Sequence, residues 1–126
     1  MSKEFSMSAN TSWIKFFTTT YLGENYCNFK GRASRKEYWA VHILTGCFLG
    51  LPITLAIFLQ PDYADYIDLA YNLITLMPLF SLSVRRFHDI NMSPWWSLLV
   101  IPLFFLPFFK GDRKDNQYGK NIYQDC

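Results

Sequence analysis

YWAVHILTGCFLGLPITLAIFLQ, residues 38–60, decides the fold. These twenty-three residues contain no Asp, Glu, Lys or Arg. At about 1.5 Å per residue a helix of that length spans about 34 Å, enough to cross the hydrocarbon core of a bilayer. A second apolar stretch, residues 66–84, is broken by Pro78 and closes in Arg85-Arg86. Leu69 to Val84 covers only about 24 Å as a helix, so those arginines must snorkel if it crosses. A third stretch, residues 94–109, is shorter still and holds Pro102 and Pro107. The expected architecture is an all-α integral membrane helical bundle with two transmembrane helices and a proline-broken third apolar segment, re-entrant or a short third span.

Outward from these blocks, a polar N-terminal tail (residues 1–12) precedes a membrane domain (residues 13–109) and a polar C-terminal tail (residues 110–126). Trp13, Phe16, Phe17 and Tyr21 share one helical face, which predicts an amphipathic helix over 13–22 lying in the membrane interface. The first span is placed at about 36–60. Ser34 and Glu37 have capping-box spacing, in which the hydroxyl accepts from the Glu37 amide and the carboxylate returns to the Ser34 amide. Gly46 and Gly50 have the Gly-x-x-x-Gly spacing that lets another helix approach closely, and Pro52 is expected to kink the span. In the second span Asn72 and Thr75, one turn apart, are expected to hydrogen-bond between helices. Residues 87–92 read as a short polar turn. Cys27, Cys47 and Cys126 form no Cys-x-x-Cys pair, and Cys47 reads as a small apolar packing residue.

The charge pattern sets an orientation. Lys3, Lys15, Lys30, Arg32, Arg35 and Lys36 precede the first span and Arg85 and Arg86 follow the second, while the loop between carries Asp62, Asp65 and Asp68 and no basic residue. Basic flanks favour the cytoplasm, so both ends of the hairpin and the N-terminus are expected there. A net charge of +2 gives no reason to expect nucleic acid as a partner.

Gly31-Arg32-Ala33-Ser34-Arg35-Lys36-Glu37-Tyr38-Trp39, Arg85-Arg86-Phe87-His88-Asp89, Ser93-Pro94-Trp95-Trp96 and Asn116-Gln117-Tyr118-Gly119 follow one another in an order that resembles a known family. It is that of the small bacterial inner-membrane proteins grouped as domain of unknown function 805. The resemblance covers residues 13–123 and implies a multi-pass inner-membrane protein with no established activity. It supplies no catalytic residue.

The topology gathers Arg32, Arg35, Lys36, Glu37, Arg85, Arg86, His88, Asp89, Trp95 and Trp96 at one membrane face as candidates for a lipid-headgroup or phosphate site. Guanidiniums grip phosphate oxygens by paired, charge-assisted bonds. In that reading Arg32, Arg35, Arg85 and Arg86 clamp the ligand while Asp89 orients His88. The plainer alternative is that the cations orient the protein and Glu37 and Asp89 pair with neighbouring arginines. His42, His88 and Asp89 are too few and too scattered to indicate a metal site, and no cofactor is expected. The functional expectation is a non-enzymatic membrane component binding anionic lipid, a second copy of itself or a partner protein at its cytoplasmic face. The alternatives are an oligomeric transporter or channel subunit, and behind it a phosphate-directed enzyme with His88 as general base. On the clamp reading, replacing Arg85 and Arg86 by Gln abolishes selective retention of anionic lipid.

Overall fold

The computed structural model describes residues 7–8, 10–23, 25–93, 95–96 and 106–123, and the secondary structure of these residues is helical apart from one tight turn with an isolated bridge between Asn116 and Gly119. Helix α1 (Trp13–Leu22) starts at Ser12, whose hydroxyl accepts from the Lys15 amide. The first apolar block forms α2 (Arg35–Thr45), a π-helical turn (Gly46–Gly50) and α3 (Leu51–Leu59), a run of 25 residues. After a 3-10 turn at Pro61–Tyr63, helix α4 (Ala64–Asp89) completes a hairpin.

Both arms of this hairpin are long and apolar enough to span a bilayer. Phe48, Leu51, Leu55, Phe58 and Leu59 on one arm and Leu69, Leu73 and Leu76 on the other are exposed, as lipid-facing side chains would be. Burial is concentrated at the opposite end, where Phe16, Ala33, Tyr38, Ala40, Val41, Leu82, Phe87 and Leu106 form the core. The third apolar segment lies largely outside the described residues, which include only Trp95, Trp96 and the 3-10 turn Leu106–Phe108 with Phe109.

Several local expectations change on contact with the fold. The irregularity before Pro52 takes the form of a π-turn in which the Leu51 amide reaches back to the Gly46 carbonyl. A Cβ at Gly46 would meet open space, and one at Gly50 would meet the Tyr71 hydroxyl of α4 at 3.7 Å and the Thr45 carbonyl at 3.8 Å, so the pair forms no joint docking face among the described residues. Asn72 and Thr75 bond within α4 rather than between helices. Asn72 donates to the Asp68 carbonyl and carboxylate, and the Thr75 hydroxyl to the Tyr71 carbonyl, because a carbonyl one turn back is the nearest acceptor in an apolar surround. Cys47 is exposed on the apolar surface rather than packed. Helix α4 also runs three residues into the expected turn, through Phe87, His88 and Asp89, and a left-handed residue follows only at Asn91 (φ 58°).

Helix α1 turns part of its aromatic face to α2 and the π-turn. The Tyr21 hydroxyl bonds Thr45 at 2.9 Å, and the Phe17 and Phe48 rings lie 5.9 Å apart. Beyond α1 the connector lies against α4 at its proline. Pro78 has no amide for the Ile74 carbonyl, and the Tyr26 hydroxyl donates to that carbonyl at 2.9 Å. The Ser81 hydroxyl shares its proton among the Pro78, Asn25 and Tyr26 carbonyls nearby. Pro78 is therefore tolerated because residues 25–26 occupy the gap it opens.

Tyr26→Phe should cost about 1 kcal/mol, the net worth of one hydrogen bond. In a Pro78→Ala background, where an amide again reaches the Ile74 carbonyl, the same change should cost much less. Unfolding of the four proteins of this double-mutant cycle in one detergent measures the coupling.

Candidate functional site

At Gly31 the backbone takes φ 87°, a left-handed conformation that glycine adopts without penalty, and turns the next two residues along the end of α4. The Ala33 amide donates to the Arg85 carbonyl at 3.0 Å and the Gly31 carbonyl bonds His88 Nδ1 at 2.8 Å. Ser34 then caps α2, accepting from the Glu37 amide at 3.0 Å. The other half of the capping box is not made. Glu37 sends its carboxylate to Arg85 Nη1 at 2.7 Å instead, a charge-assisted bond that outweighs a return to a backbone amide.

Asp89 is the hub. One carboxylate oxygen accepts from Arg32 Nε at 3.1 Å and Nη2 at 2.9 Å, and the other accepts from Arg86 Nη1 and the Tyr123 hydroxyl. Other donors of the two arginines go to backbone carbonyls of Phe109 and of the C-terminal tail. Arg32 reaches Asp112, Lys114 (2.8 Å) and Lys120 (3.2 Å), and Arg86 reaches Phe109. The tail answers with the Asp112 amide, which donates to the Asp89 carbonyl at 2.7 Å. A Cβ on Gly111 would collide with the Asp89 carboxylate and the Tyr123 hydroxyl, so only glycine fits this approach. Burial and the adjacent Asp89 charge push the Tyr123 phenol well above its usual range, so it remains a donor throughout the neutral range.

Arg32, Arg85, Arg86, Glu37 and Asp89 are all fully buried. Three guanidiniums against two carboxylates leave one excess positive charge. Arg85 Nε and Nη2, Arg86 Nε and Glu37 Oε2 have no hydrogen-bond partner among the described residues.

The fourth sequence motif docks on the second. Asn116 and Gly119 exchange backbone hydrogen bonds of 3.0 and 3.2 Å to make a tight turn, and Asn116 Nδ2 donates to the His88 carbonyl at 3.0 Å. The Tyr118 ring stacks on His88 at 4.1 Å with only 4° between planes.

This geometry revises the four-arginine clamp. Arg32, Arg85 and Arg86 are fully buried and each is paired with a carboxylate inside the fold, so Gln substitutions at Arg85 and Arg86 would probe folding before binding. Asp89 does not orient His88, since it is taken by Arg32, Arg86 and Tyr123 while His88 bonds Gly31. His42 Nδ1 bonds the Tyr38 carbonyl of its own helix at 2.8 Å. No cluster of three metal-ligating side chains forms among the described residues. Trp95 and Trp96 are exposed and make no described ring contact with the network. Arg35 is exposed and Lys36 half-buried. Beside Arg35 the tail contributes Lys110, Gly111, Arg113 and Tyr123, which together line a cleft of about 70 Å³. None of these tail residues stood out as a site candidate. The only hint was the density of positive charge at Lys110, Arg113 and Lys114, and a lone tyrosine in a polar tail gives none.

A family model described as "Protein of unknown function (DUF805)" matches residues 26–120. The chain is similar to the inner membrane protein YhaI of Escherichia coli (strain K12), with 33% identity over 109 residues, covering 78% of this chain and 88% of that one. It is also similar to the inner membrane protein YhaH of the same strain, with 34% identity over 88 residues, covering 68% of this chain and 69% of the other. No solved structure matches.

Asp89→Asn should destabilise the protein by about 3–5 kcal/mol, because Arg32 and Arg86 lose their counter-charge while buried. Tyr123→Phe should cost about 1.5–3 kcal/mol, one bond to a charged acceptor. The double variant should cost less than the sum, since the phenol has no carboxylate left to serve; denaturant titration in detergent reads all three.

Proposed function

We propose a function from the premise that this chain belongs to the DUF805 family, whose description states no activity. It is a non-enzymatic, multi-pass component of the bacterial inner membrane whose arginine-rich end, with both termini, lies in the cytoplasm and associates with anionic lipid. The inner-membrane location is supported by the names of both relatives and by two helices long and apolar enough to cross a bilayer.

One observation carries the orientation. The tail bonds to Arg32, Arg86 and Asp89, so its basic residues Lys110, Arg113, Lys114 and Lys120 belong to the same end of the hairpin as Arg35 and Lys36. The opposite end carries Asp62, Asp65 and Asp68 and no cation. A segregation this complete follows the bias that keeps basic flanks in the cytoplasm. The non-enzymatic reading follows from the ionisable groups. Glu37, His42, His88 and Asp89 each bond within the fold, which supports a structural role for these groups. The cytoplasmic leaflet attracts basic surface residues, and the exposed Arg35, Lys110 and Arg113 sit where they would meet it.

Paired reporter fusions test the orientation. A periplasm-active phosphatase should work when joined at Tyr63 and fail when joined after Cys126, and a cytoplasm-active fluorescent protein should do the reverse. The opposite pattern at either position contradicts the reading.

A further inference from the structure

We propose that Arg35, Lys110 and Arg113 form a recognition site for the phosphate of an anionic phospholipid headgroup, a proposal that deepens, and rests on, the lipid association above. The cleft they line with Gly111 and Tyr123, about 70 Å³, has the volume of about two water molecules in the liquid. A phosphate-sized group suits it, with the rest of the ligand outside.

The floor is held by bonds that leave the three cations free to act. Arg35 opens α2 directly after the Ser34 cap. Lys110 and Gly111 are held by the Asp112 amide on the Asp89 carbonyl and by the close approach of Gly111 to Tyr123. The Arg113 carbonyl accepts from Asn121 Nδ2 at 2.8 Å, and its guanidinium lies 5.7 Å above the Tyr123 ring. Arg35, Lys110 and Arg113 are exposed, and none has a carboxylate within ion-pair distance among the described residues. The buried network below adds its own excess positive charge, and residues 110–114 hold three cations to one acidic residue, Asp112. Two guanidiniums and an ammonium around a small opening are suited to tetrahedral phosphate oxygens, which accept from several directions at once.

The surroundings favour a lipid as the source of that phosphate. Trp39 lies one helical turn beyond Arg35 on the same side of α2. It is exposed and meets Phe108 edge to face at 6.1 Å, with Phe109 exposed beside it. An apolar aromatic strip thus leads away from the cationic cleft, as headgroup and acyl chain would require.

The test uses the full chain in nanodiscs of phosphatidylcholine with one-fifth phosphatidylglycerol, released into mild detergent for native mass spectrometry. Wild type should retain one phosphatidylglycerol per protomer. The triple variant Arg35→Gln/Lys110→Gln/Arg113→Gln should lose that retention by at least about tenfold, the loss expected from charge-assisted bonds. A charge-matched control, Lys15→Gln/Lys30→Gln/Lys120→Gln, should stay within about twofold of wild type. Should the triple variant unfold, Lys110→Gln alone, an exposed side chain, should reduce retention by about threefold. Retention unchanged in the cleft variants, or lost equally in the control, overturns the site but leaves general lipid association standing. A wild-type protein that shows no preference for phosphatidylglycerol removes both. In nanodiscs of phosphatidylcholine alone, inorganic phosphate and glycerol phosphate followed by phosphorus NMR should show no saturable binding. Saturable binding lost in the cleft triple would assign the site to a soluble phosphate and overturn the lipid source.

Discussion

A single buried carboxylate organises the ordered end of this protein. Asp89 accepts from two guanidiniums and one phenol at the last residue of α4, and the backbone around it accepts and donates as well. Removing a carboxylate and two guanidiniums from water is costly, and their attraction offsets that cost only when the remaining donors are satisfied too. Most of those donors go to the tail. Arg32 and Arg86 have more N–H groups than Asp89 can accept, and the carbonyls of Phe109, Asp112, Lys114 and Lys120 accept from several of the others. The tail is thereby fixed to residues 32–37 and to the end of α4. Arg85 and Glu37 form a second pair one turn away and tie the start of α2 to the same helix.

The rest of the molecule follows from where this network sits. The far half of the hairpin has a small interface of its own and turns leucine and phenylalanine outward, an arrangement suited to lipid and not to water. The near half carries the polar locks, the core around Phe16, Tyr38 and Phe87, and the cations that remain exposed. A lipid-facing hairpin is thus joined to a polar-locked head. The irregular positions within the hairpin are each compensated: the π-turn precedes Pro52, and Tyr26 supplies the donor that Pro78 lacks.

The two long apolar helices and the Ser34 cap were legible because they depend on local pattern: a long uncharged run and a three-residue spacing. The directions of the charged side chains were not. Arginines beside a span read equally well as orientation signals, lipid contacts or ion-pair partners, and composition cannot choose among them. The choice was made by residues far apart in the chain, since Arg32 and Asp89 are 57 positions apart and Tyr123 lies 34 beyond Asp89. Glu37 illustrates the same limit. Its spacing from Ser34 spells a complete capping box, yet Arg85 offers a stronger partner that no local pattern reveals. Asn72 and Thr75 failed in the other direction, taking local carbonyls where long-range partners were expected. The first, second and fourth motifs are parts of one assembly, which only the fold displays.

Whether the tail is truly locked to the arginine-rich end is read most directly by backbone hydrogen exchange, followed by mass spectrometry on the full chain in lipid nanodiscs. Peptides covering residues 110–123 should be protected in the wild-type protein, and that protection should fall in Asp89→Asn while the α2–α3 peptides keep theirs. Exchange of the wild-type tail at the rate of an unstructured peptide would contradict the central role given to Asp89.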